Sequence, residues 1–282
     1  MAHSSTQMKL AVLGAGKMGG ILIEAFVKRG LVQPQDISAT AHPADLARAN
    51  AAKLPISVGT NNRAAVCGAD VVLLCVKPHN VAQVTEEIRS ELSEGKLVIS
   101  IVASVPTNYI ERRLGGNARV IRVMPNTPAM VGAGITAIAK GKNAAQKDVE
   151  IAEKLFGAVG KTVVVDEKNM DAITGLSGSG PAFIYIILES LAEGGVKMGL
   201  SRELATLLAA QTALGAAKVV LDTGEHPAQL KDTVTTPAGC TMDGILELEE
   251  GGLRVTLIKA VVKAAKRAKE LLVVDDAEAE HK

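Results

Sequence analysis

The stretch Lys9-Leu10-Ala11-Val12-Leu13-Gly14-Ala15-Gly16-Lys17-Met18-Gly19 decides the fold of this 282-residue chain. A short apolar run enters a Gly-x-Gly-x-x-Gly turn, and an amphipathic segment, Ile21 to Lys28, follows it. A strand, a glycine-rich turn and a helix in this order are typical of dinucleotide-binding folds. Gly14 would permit the tight turn, Gly16 the approach of a pyrophosphate, and Gly19 close packing of helix on strand. A glycine-rich turn that binds no ligand is the alternative.

Apolar and amphipathic segments alternate from this turn to Val165. They predict strands at 37–40, 71–76, 97–101, 119–123, 134–139 and 161–165, and helices at 44–53, 81–92, 106–114 and 145–156. The continuous apolar run at 71–76 is typical of a parallel strand covered on both faces. Strands and helices that alternate at this length predict a doubly wound, Rossmann-like α/β domain, which we place at residues 1–166.

The end of the second strand bears on the choice of coenzyme, because an acid there would bind the ribose 2′-hydroxyl of NAD. Asp36 lies at the start of that strand, and the end, Thr40 to Pro43, contains no acid. A 2′-phosphate would therefore meet no fixed negative charge, and His42 is either a donor to it or a solvated loop residue. The sequence favours NADPH, with NADH as the alternative.

Loops that follow other strands are expected at the same crevice, since ligands bind at the carboxyl ends of parallel strands. These loops are 75–79, 100–104 and 124–128. Lys77 is either a general acid or a surface charge, and His79 is expected to be solvated.

The chain changes character after the polar break at 166–169, and we predict an all-α domain at residues 167–282. A sharp turn at 178–181 is expected to lead into a helix at 182–193, followed by helices at 204–221, 242–250 and 255–272, with a frayed end at 275–282. The segments at 182–193 and 204–221 are apolar almost all round, so they must be covered on every face. A domain of this size cannot enclose both, and a partner subunit is implied.

A small-residue turn, Val234-Thr235-Thr236-Pro237-Ala238-Gly239-Cys240-Thr241-Met242, precedes one of these helices. Backbone N–H groups at a helix N-terminus have no carbonyl partners in the helix and favour an anion. Thr235, Thr236 and Thr241 add hydroxyl groups. The alternative is an ordinary helix cap.

Composition excludes several classes of function. The net charge is +1 and aromatic residues make up 2 % of the chain, so neither a nucleic-acid nor a membrane partner is expected. No apolar run approaches the length of a membrane span, and no signal segment is apparent. Three cysteines without metal-ligand spacing suit a reducing compartment and predict no metal site. We expect a cytoplasmic protein.

Several motifs together resemble the pyrroline-5-carboxylate reductase family. They are Leu176-Ser177-Gly178-Ser179-Gly180-Pro181, Gly195-Val196-Lys197-Met198-Gly199-Leu200, His226-Pro227-Ala228-Gln229-Leu230-Lys231-Asp232 and the turn at 234–241, with Val76-Lys77-Pro78, Met124-Pro125-Asn126 and the opening glycines. The resemblance covers nearly the whole chain. It implies reduction of the C=N bond of 1-pyrroline-5-carboxylate by NADPH or NADH to L-proline, the last step of proline biosynthesis, in a homodimer of interleaved helical domains or a larger assembly such as a decamer.

The resemblance also implies site residues. The cofactor contacts would be Gly14, Ala15, Gly16, Lys17, Met18, Gly19, Ala41, His42, Asn62, Cys75, Val76, Lys77, Pro78, Ile101, Val102 and Ala103. The substrate contacts would be Glu167, Thr233, Gly239, Cys240 and Thr241, some of them contributed by the partner subunit. We hypothesise that the Thr241 hydroxyl is catalytic and bonds the ring nitrogen.

Three positions depart from the family pattern. Ala238 replaces a glycine, so a positive φ there would be strained. Ser104 stands where glycine is common, and Ala41 where a serine often meets the 2′-phosphate.

Other functions explain fewer of these sequence features than the reductase does. A β-hydroxyacid dehydrogenase shares the glycine-rich opening, but it needs a helix-borne lysine, and the stretch from Gly178 to Glu193 has none. A dinucleotide-sensing protein without catalysis would need no substrate turn.

Overall fold

A computed structural model describes residues 8–92 and 95–271. The predicted end of the last helix at Leu272 and the predicted frayed end at 275–282 lie outside these residues. Contacts divide the chain into two compact units. One comprises the chain up to Gly178 together with the residues from Lys263 onward, and the other is Ser179–Val262. The domain boundary at residues 166 and 167 stays a prediction.

The first unit contains one eight-stranded sheet in the order β3-β2-β1-β4-β5-β6-β7-β8. The strands are β1 (Leu10–Leu13), β2 (Ile37–Thr40), β3 (Val58–Gly59), β4 (Val71–Leu74), β5 (Leu97–Ser100), β6 (Arg119–Met124), β7 (Gly134–Lys140) and β8 (Gly160–Val164). All neighbours are parallel except β6 and β7, which are antiparallel. The doubly wound α/β architecture is therefore confirmed.

The strand order reverses between β1 and β4, which places a ligand crevice there. In register, Leu13 of β1 pairs with Thr40 on one side and with Leu74 on the other. The three carboxyl ends therefore lie side by side at one edge of the sheet.

Helices cover both faces of this sheet. They are α1 (Lys17–Lys28), α2 (Ala44–Ala51), α3 (Asn62–Cys67), α4 (Val81–Ile88), α5 (Thr107–Arg113) and α6 (Gln146–Gly157), followed by the short α7 (Met170–Ile173). Alternate residues of β1 belong to different cores, Leu10 and Val12 to one and Ala11 and Leu13 to the other. This burial on both faces explains why the strand is apolar throughout.

The helices of the rest of the chain are α8 (Gly180–Lys197), α9 (Arg202–Thr223), α10 (Pro227–Val234), α11 (Cys240–Glu250) and α12 (Leu253–Glu270). Helix α8 packs against α9 through small residues, namely Ala192, Ala205 and Ala209. Large apolar side chains remain open to solvent in the single chain. Leu214 is 63 % exposed and Tyr185 of α8 is 58 % exposed. The chain by itself therefore does not enclose these two helices.

One prediction about the second half was wrong. The expected sharp turn at 178–181 is absent, because a π-helical segment, Thr174–Gly178, connects α7 to α8 in a helical path. In addition, Glu167–Lys197 and Arg202–Thr223 are long and apolar enough to cross a membrane by length and composition alone. These criteria are weak, since core helices also meet them.

Four elements were not predicted: β3, α3, α10 and the four-residue α7. β3 has two residues, too few for a periodic pattern. In α3, Asn61 caps the helix through a bond from the Ala64 N–H, and in α10 Pro227 occupies the first turn. Both are short helices that begin with a recognisable cap.

Candidate active site

The glycine-rich turn has the geometry that its sequence predicts. Gly14 has a φ of +102°, and a Cβ there would lie 2.7 Å from the Cys75 carbonyl oxygen. A Cβ at Gly19 would lie 2.3 Å from the Gly14 carbonyl oxygen, whereas one at Gly16 would meet nothing within 4 Å. The first and third glycines therefore permit close packing, and the second leaves open space above the start of α1. This cradle fits a pyrophosphate.

Some backbone N–H groups of this turn bond within the protein, and others are available to a ligand. The N–H groups of Gly14 and Ala15 both donate to the Thr40 carbonyl oxygen, at 3.0 and 2.7 Å. They tie the turn to the end of β2 and are not free for a ligand. The next amides belong to the first turn of α1, where no carbonyl of the helix can accept them. Lys17 and Met18 supply these donors.

A cleft of about 420 Å³ opens at the carboxyl ends of β1, β2 and β4. Eight of the predicted cofactor residues line it: Gly14, Gly16, Ala41, His42, Asn62, Cys75, Val76 and Lys77. The other eight, Ala15, Lys17, Met18, Gly19, Pro78, Ile101, Val102 and Ala103, do not line it. The remaining lining residues are Thr40, Leu46, His79, Asn80, Gln83, Val84 and Glu87. Proximity to strand ends pointed to Thr40 and His79, but no local signal pointed to Gln83 or Glu87.

One wall of the cleft is a chain of hydrogen-bonded side chains. The Thr40 hydroxyl donates to Asn62 Oδ1 at 2.7 Å, and Asn62 Nδ2 donates to Glu87 Oε2 at 2.7 Å. Gln83 Nε2 donates to the other carboxylate oxygen of Glu87 at 2.8 Å. The end of β2 itself contains no acid, but two hydrogen bonds link Thr40 through Asn62 to the Glu87 carboxylate. Helix α4 supplies a carboxylate that β2 lacks.

Cys75 follows β4 and lines the same cleft. Burial raises the pKa of its thiol well above the ordinary value. The side chain is therefore a neutral thiol at neutral pH, and it suits packing rather than acid–base chemistry.

The loop after β5 contains Ile101, Val102 and Ala103, which remain predicted cofactor contacts. Ser104 follows with a φ of +69°, the conformation in which glycine is common. Its hydroxyl oxygen is buried and has no hydrogen-bond partner among the described residues. Serine in place of glycine at position 104 therefore has a conformational cost.

Glu167 is held within the first unit. Its carboxylate accepts bonds from the Thr107 N–H and hydroxyl, both at 2.7 Å. The buried Arg122 guanidinium lies 3.6 Å from Glu167 Oε1 and 3.3 Å from Asp171 Oδ1. Both carboxylate oxygens of Glu167 are therefore engaged with protein groups. A substrate contact for this residue stays a prediction.

The threonine-rich turn belongs to the second unit. Ala238 has a φ of +57°, so the strain expected from its departure is present. The Gly239 N–H donates to the Thr236 carbonyl oxygen at 2.9 Å, and the Thr233 hydroxyl donates to Leu230 O at 2.7 Å. Gly239 caps α11, so the free amides of its first turn are those of Cys240 and Thr241. Among residues 8–92 and 95–271, no cluster of three metal-ligating side chains occurs.

Comparison with known proteins agrees with this architecture. The protein-family model described as pyrroline-5-carboxylate reductase dimerisation matches residues 167–271. A second family model, described as NADP oxidoreductase, coenzyme F420-dependent, matches residues 9–104. The pyrroline-5-carboxylate reductase of Methanosarcina acetivorans is 47 % identical over 93 % of this chain and 97 % of its own length.

Solved structures extend the comparison to the fold. A pyrroline-5-carboxylate reductase from Coxiella burnetii superposes with a TM-score of 0.84 at 38 % identity, over 94 % of this chain and 99 % of its own. The Plasmodium falciparum enzyme, solved with NADP bound, has a TM-score of 0.87 at 30 % identity, over 94 % of this chain and 98 % of its own. Since identity well above 30 % extends over almost the full length of both chains, the chain belongs to the pyrroline-5-carboxylate reductase family.

Proposed function

We propose that the chain reduces the C=N bond of 1-pyrroline-5-carboxylate to give L-proline, the last step of proline biosynthesis, with NADPH or NADH as reductant. The observation that supports this most strongly is the glycine cradle at 14–19, set in a chain of this family. Relatives that match over almost the whole chain are named as pyrroline-5-carboxylate reductases, and one of them was solved with NADP bound.

The cofactor would occupy the cleft at the switch point of the sheet. The amides of Gly16, Lys17 and Met18 would hold its pyrophosphate, and Asn62 and His42 would face its adenosine ribose. We retain Ala15, Gly19, Ala41, Cys75, Val76, Lys77, Pro78, Ile101, Val102 and Ala103 as proposed contacts. When bound, the reduced nicotinamide supplies the hydride, so the protein's task is placement and charge management.

The substrate carboxylate would be held by the turn before α11. The amides of Cys240 and Thr241 are available, whereas the Gly239 amide already bonds Thr236. Gly239 therefore contributes by leaving room, since a Cβ there would lie 2.3 Å from the Thr236 hydroxyl. Thr233 and Glu167 complete the proposed substrate set.

Thr241 would be the catalytic residue. Its hydroxyl would hydrogen-bond the ring nitrogen and stabilise the amine as it forms. Threonine is a poor acid, so the proton would come from solvent or from an iminium that is already protonated.

The same proposal includes a homodimer in the cytoplasm. The dimerisation model and the uncovered apolar side chains of α8 and α9 support self-association, and a decamer would be a further step of the same assembly. Free Cys67, Cys75 and Cys240 suit a reducing compartment.

Oxidation of NADPH and of NADH, followed separately with 1-pyrroline-5-carboxylate, tests the function. We expect Thr241→Ala to lower kcat about 10²-fold, because one oriented hydrogen bond to the transition state is lost. Thr241→Ser, which keeps the hydroxyl, should retain most of the activity. Unchanged turnover in Thr241→Ala would remove its catalytic role, and tight NADPH binding without any turnover would favour a sensing protein.

A further inference from the structure

We propose that Glu87 sets the coenzyme preference of this chain by disfavouring the 2′-phosphate of NADPH relative to the free ribose of NADH. The inference rests on the proposed function, because it concerns the same cofactor cleft. The structural observation is the hydrogen-bonded chain Thr40–Asn62–Glu87 along one wall of that cleft.

Glu87 is linked to the end of β2 through Asn62 and lines the same cleft. In dinucleotide-binding folds an acid at the end of the second strand accepts bonds from the ribose hydroxyl groups and repels a 2′-phosphate. Here β2 ends in Thr40, and two successive hydrogen bonds of 2.7 Å join its side chain through Asn62 to Glu87. A residue from α4 thus places a carboxylate beside the strand whose own end has none.

The same contacts fix the orientation of Asn62. Its oxygen accepts from the Thr40 hydroxyl, so its nitrogen must face the Glu87 carboxylate. Asn62 is buried and keeps one N–H and one lone pair for a ligand. Glu87 thereby acts in two ways, as a charge in the cleft wall and as a positioning residue for Asn62.

Within residues 8–92 and 95–271, Glu87 makes no salt bridge. The contacts of its two oxygens are the amide groups of Asn62 and Gln83, both uncharged. The lysine that lines the cleft, Lys77, makes no salt bridge with it among the described residues. A phosphate that approaches Asn62 therefore meets the Glu87 carboxylate, which makes no salt bridge among the described residues, although Arg63 and Arg89 line a neighbouring cavity with it.

Two substitutions reduce the negative charge of the cleft wall at Glu87. Glu87→Gln keeps an acceptor for Asn62 and removes the charge. Gln83→Lys leaves Glu87 in place but puts a cation one helical turn away, which also reduces the charge. Glu86→Gln is the matched control, because it makes the same change on the neighbouring exposed residue of α4, outside the cleft lining.

Calorimetry with 2′,5′-ADP and 5′-AMP measures the effect without catalysis. We expect Glu87→Gln and Gln83→Lys to tighten 2′,5′-ADP binding relative to 5′-AMP by about tenfold, and Glu86→Gln to leave the ratio within about twofold. The ratio of kcat/KM for NADPH over NADH should rise in parallel, through KM rather than kcat.

The outcomes distinguish a failure of the role of Glu87 from a failure of the proposed function. A ratio in Glu87→Gln equal to that of Glu86→Gln overturns the role of Glu87, whatever the result for Gln83→Lys, because a lysine in the cleft would attract the phosphate by itself. If the native protein binds neither 2′,5′-ADP nor 5′-AMP, the cleft is not the cofactor site and the proposed function fails with it. Retained far-ultraviolet circular dichroism in each variant shows that the fold is intact.

Discussion

Ala238 shows how a single residue can be at odds with its backbone. It stands in the proposed substrate turn with a φ of +57°. For a residue with a Cβ, this left-handed conformation costs about 1–2 kcal/mol. The departure from the family pattern is therefore a local strain at the site, and Ser104 has the same property after β5.

We expect Ala238→Gly to raise the free energy of unfolding by about 0.5–1 kcal/mol. Glycine adopts the positive φ without strain, and the greater freedom of the unfolded chain offsets part of the gain. Urea unfolding measures the change. The control, Ala64→Gly in the exposed face of α3, should instead cost up to about 1 kcal/mol. An Ala238→Gly protein less stable than the native one would contradict the strain.

Cys75 is predicted to resist alkylation in the native protein. Because its pKa is raised, the group remains a thiol where the thiolate is the reactive form. Iodoacetamide at mildly alkaline pH should modify the exposed Cys67 well before Cys75, as peptide mass spectrometry would show. Equal rates at the two cysteines would refute the burial.

The raised pKa of Cys75 also has a consequence for stability. The unfolded chain loses the thiol proton above a pH of about 8.5, whereas the native chain keeps it. The contribution of Cys75 to stability is therefore present below that pH and is lost as the pH rises above it.

At the scale of elements, Arg122 joins three parts of the first unit. It lies on β6, and its guanidinium faces Glu167 and Asp171, while Glu167 also binds the start of α5 through Thr107. A buried cation needs its anionic partners, because an unpaired charge in the interior is costly. The segment that follows β8 is thereby anchored to the sheet.

We expect Glu167→Gln to destabilise the protein by about 1–3 kcal/mol, since a charge-assisted contact with Arg122 is lost. Differential scanning calorimetry would measure it. Glu24→Gln, an exposed change on α1, is the control and should have little effect. The KM for 1-pyrroline-5-carboxylate, taken where the variant is folded, tests the substrate contact separately. An unchanged KM would remove Glu167 from the substrate set.

Much of the sheet could be predicted because its strands are apolar on both faces and its turns contain glycine. The Gly14–Gly19 turn was predictable for the same reason, since Gly14 and Gly19 each have a local steric cause and Gly16 leaves open space. Glu87 was not predictable, because its relation to Thr40 arises from the packing of α4 beside β2 and no local spacing records it. The π-helical segment at 174–178 was missed because glycine and proline at 178–181 indicated a turn.

At the scale of the whole molecule, the uncovered side chains of α8 and α9 predict self-association. We expect Leu214→Glu to shift the protein towards monomers, because a charge would be buried in the contact. Size-exclusion chromatography with light scattering measures the mass. Gln146→Glu adds the same charge to the exposed start of α6 and should leave the mass unchanged. A Leu214→Glu protein with the native mass would place the contact elsewhere.

The intrinsic fluorescence of this molecule comes mainly from two tyrosines. The chain has no tryptophan, so Tyr109 and Tyr185 dominate its ultraviolet emission. Tyr109 is 6 % exposed, with the Arg113 guanidinium 4.7 Å from its ring centroid, while Tyr185 is open to solvent on α8. Quenchers dissolved in water would therefore reach mainly the second ring in a monomer, and association through α8 should shield it. Fluorescence from the reduced nicotinamide could be followed in the same cuvette with no indole emission beneath it.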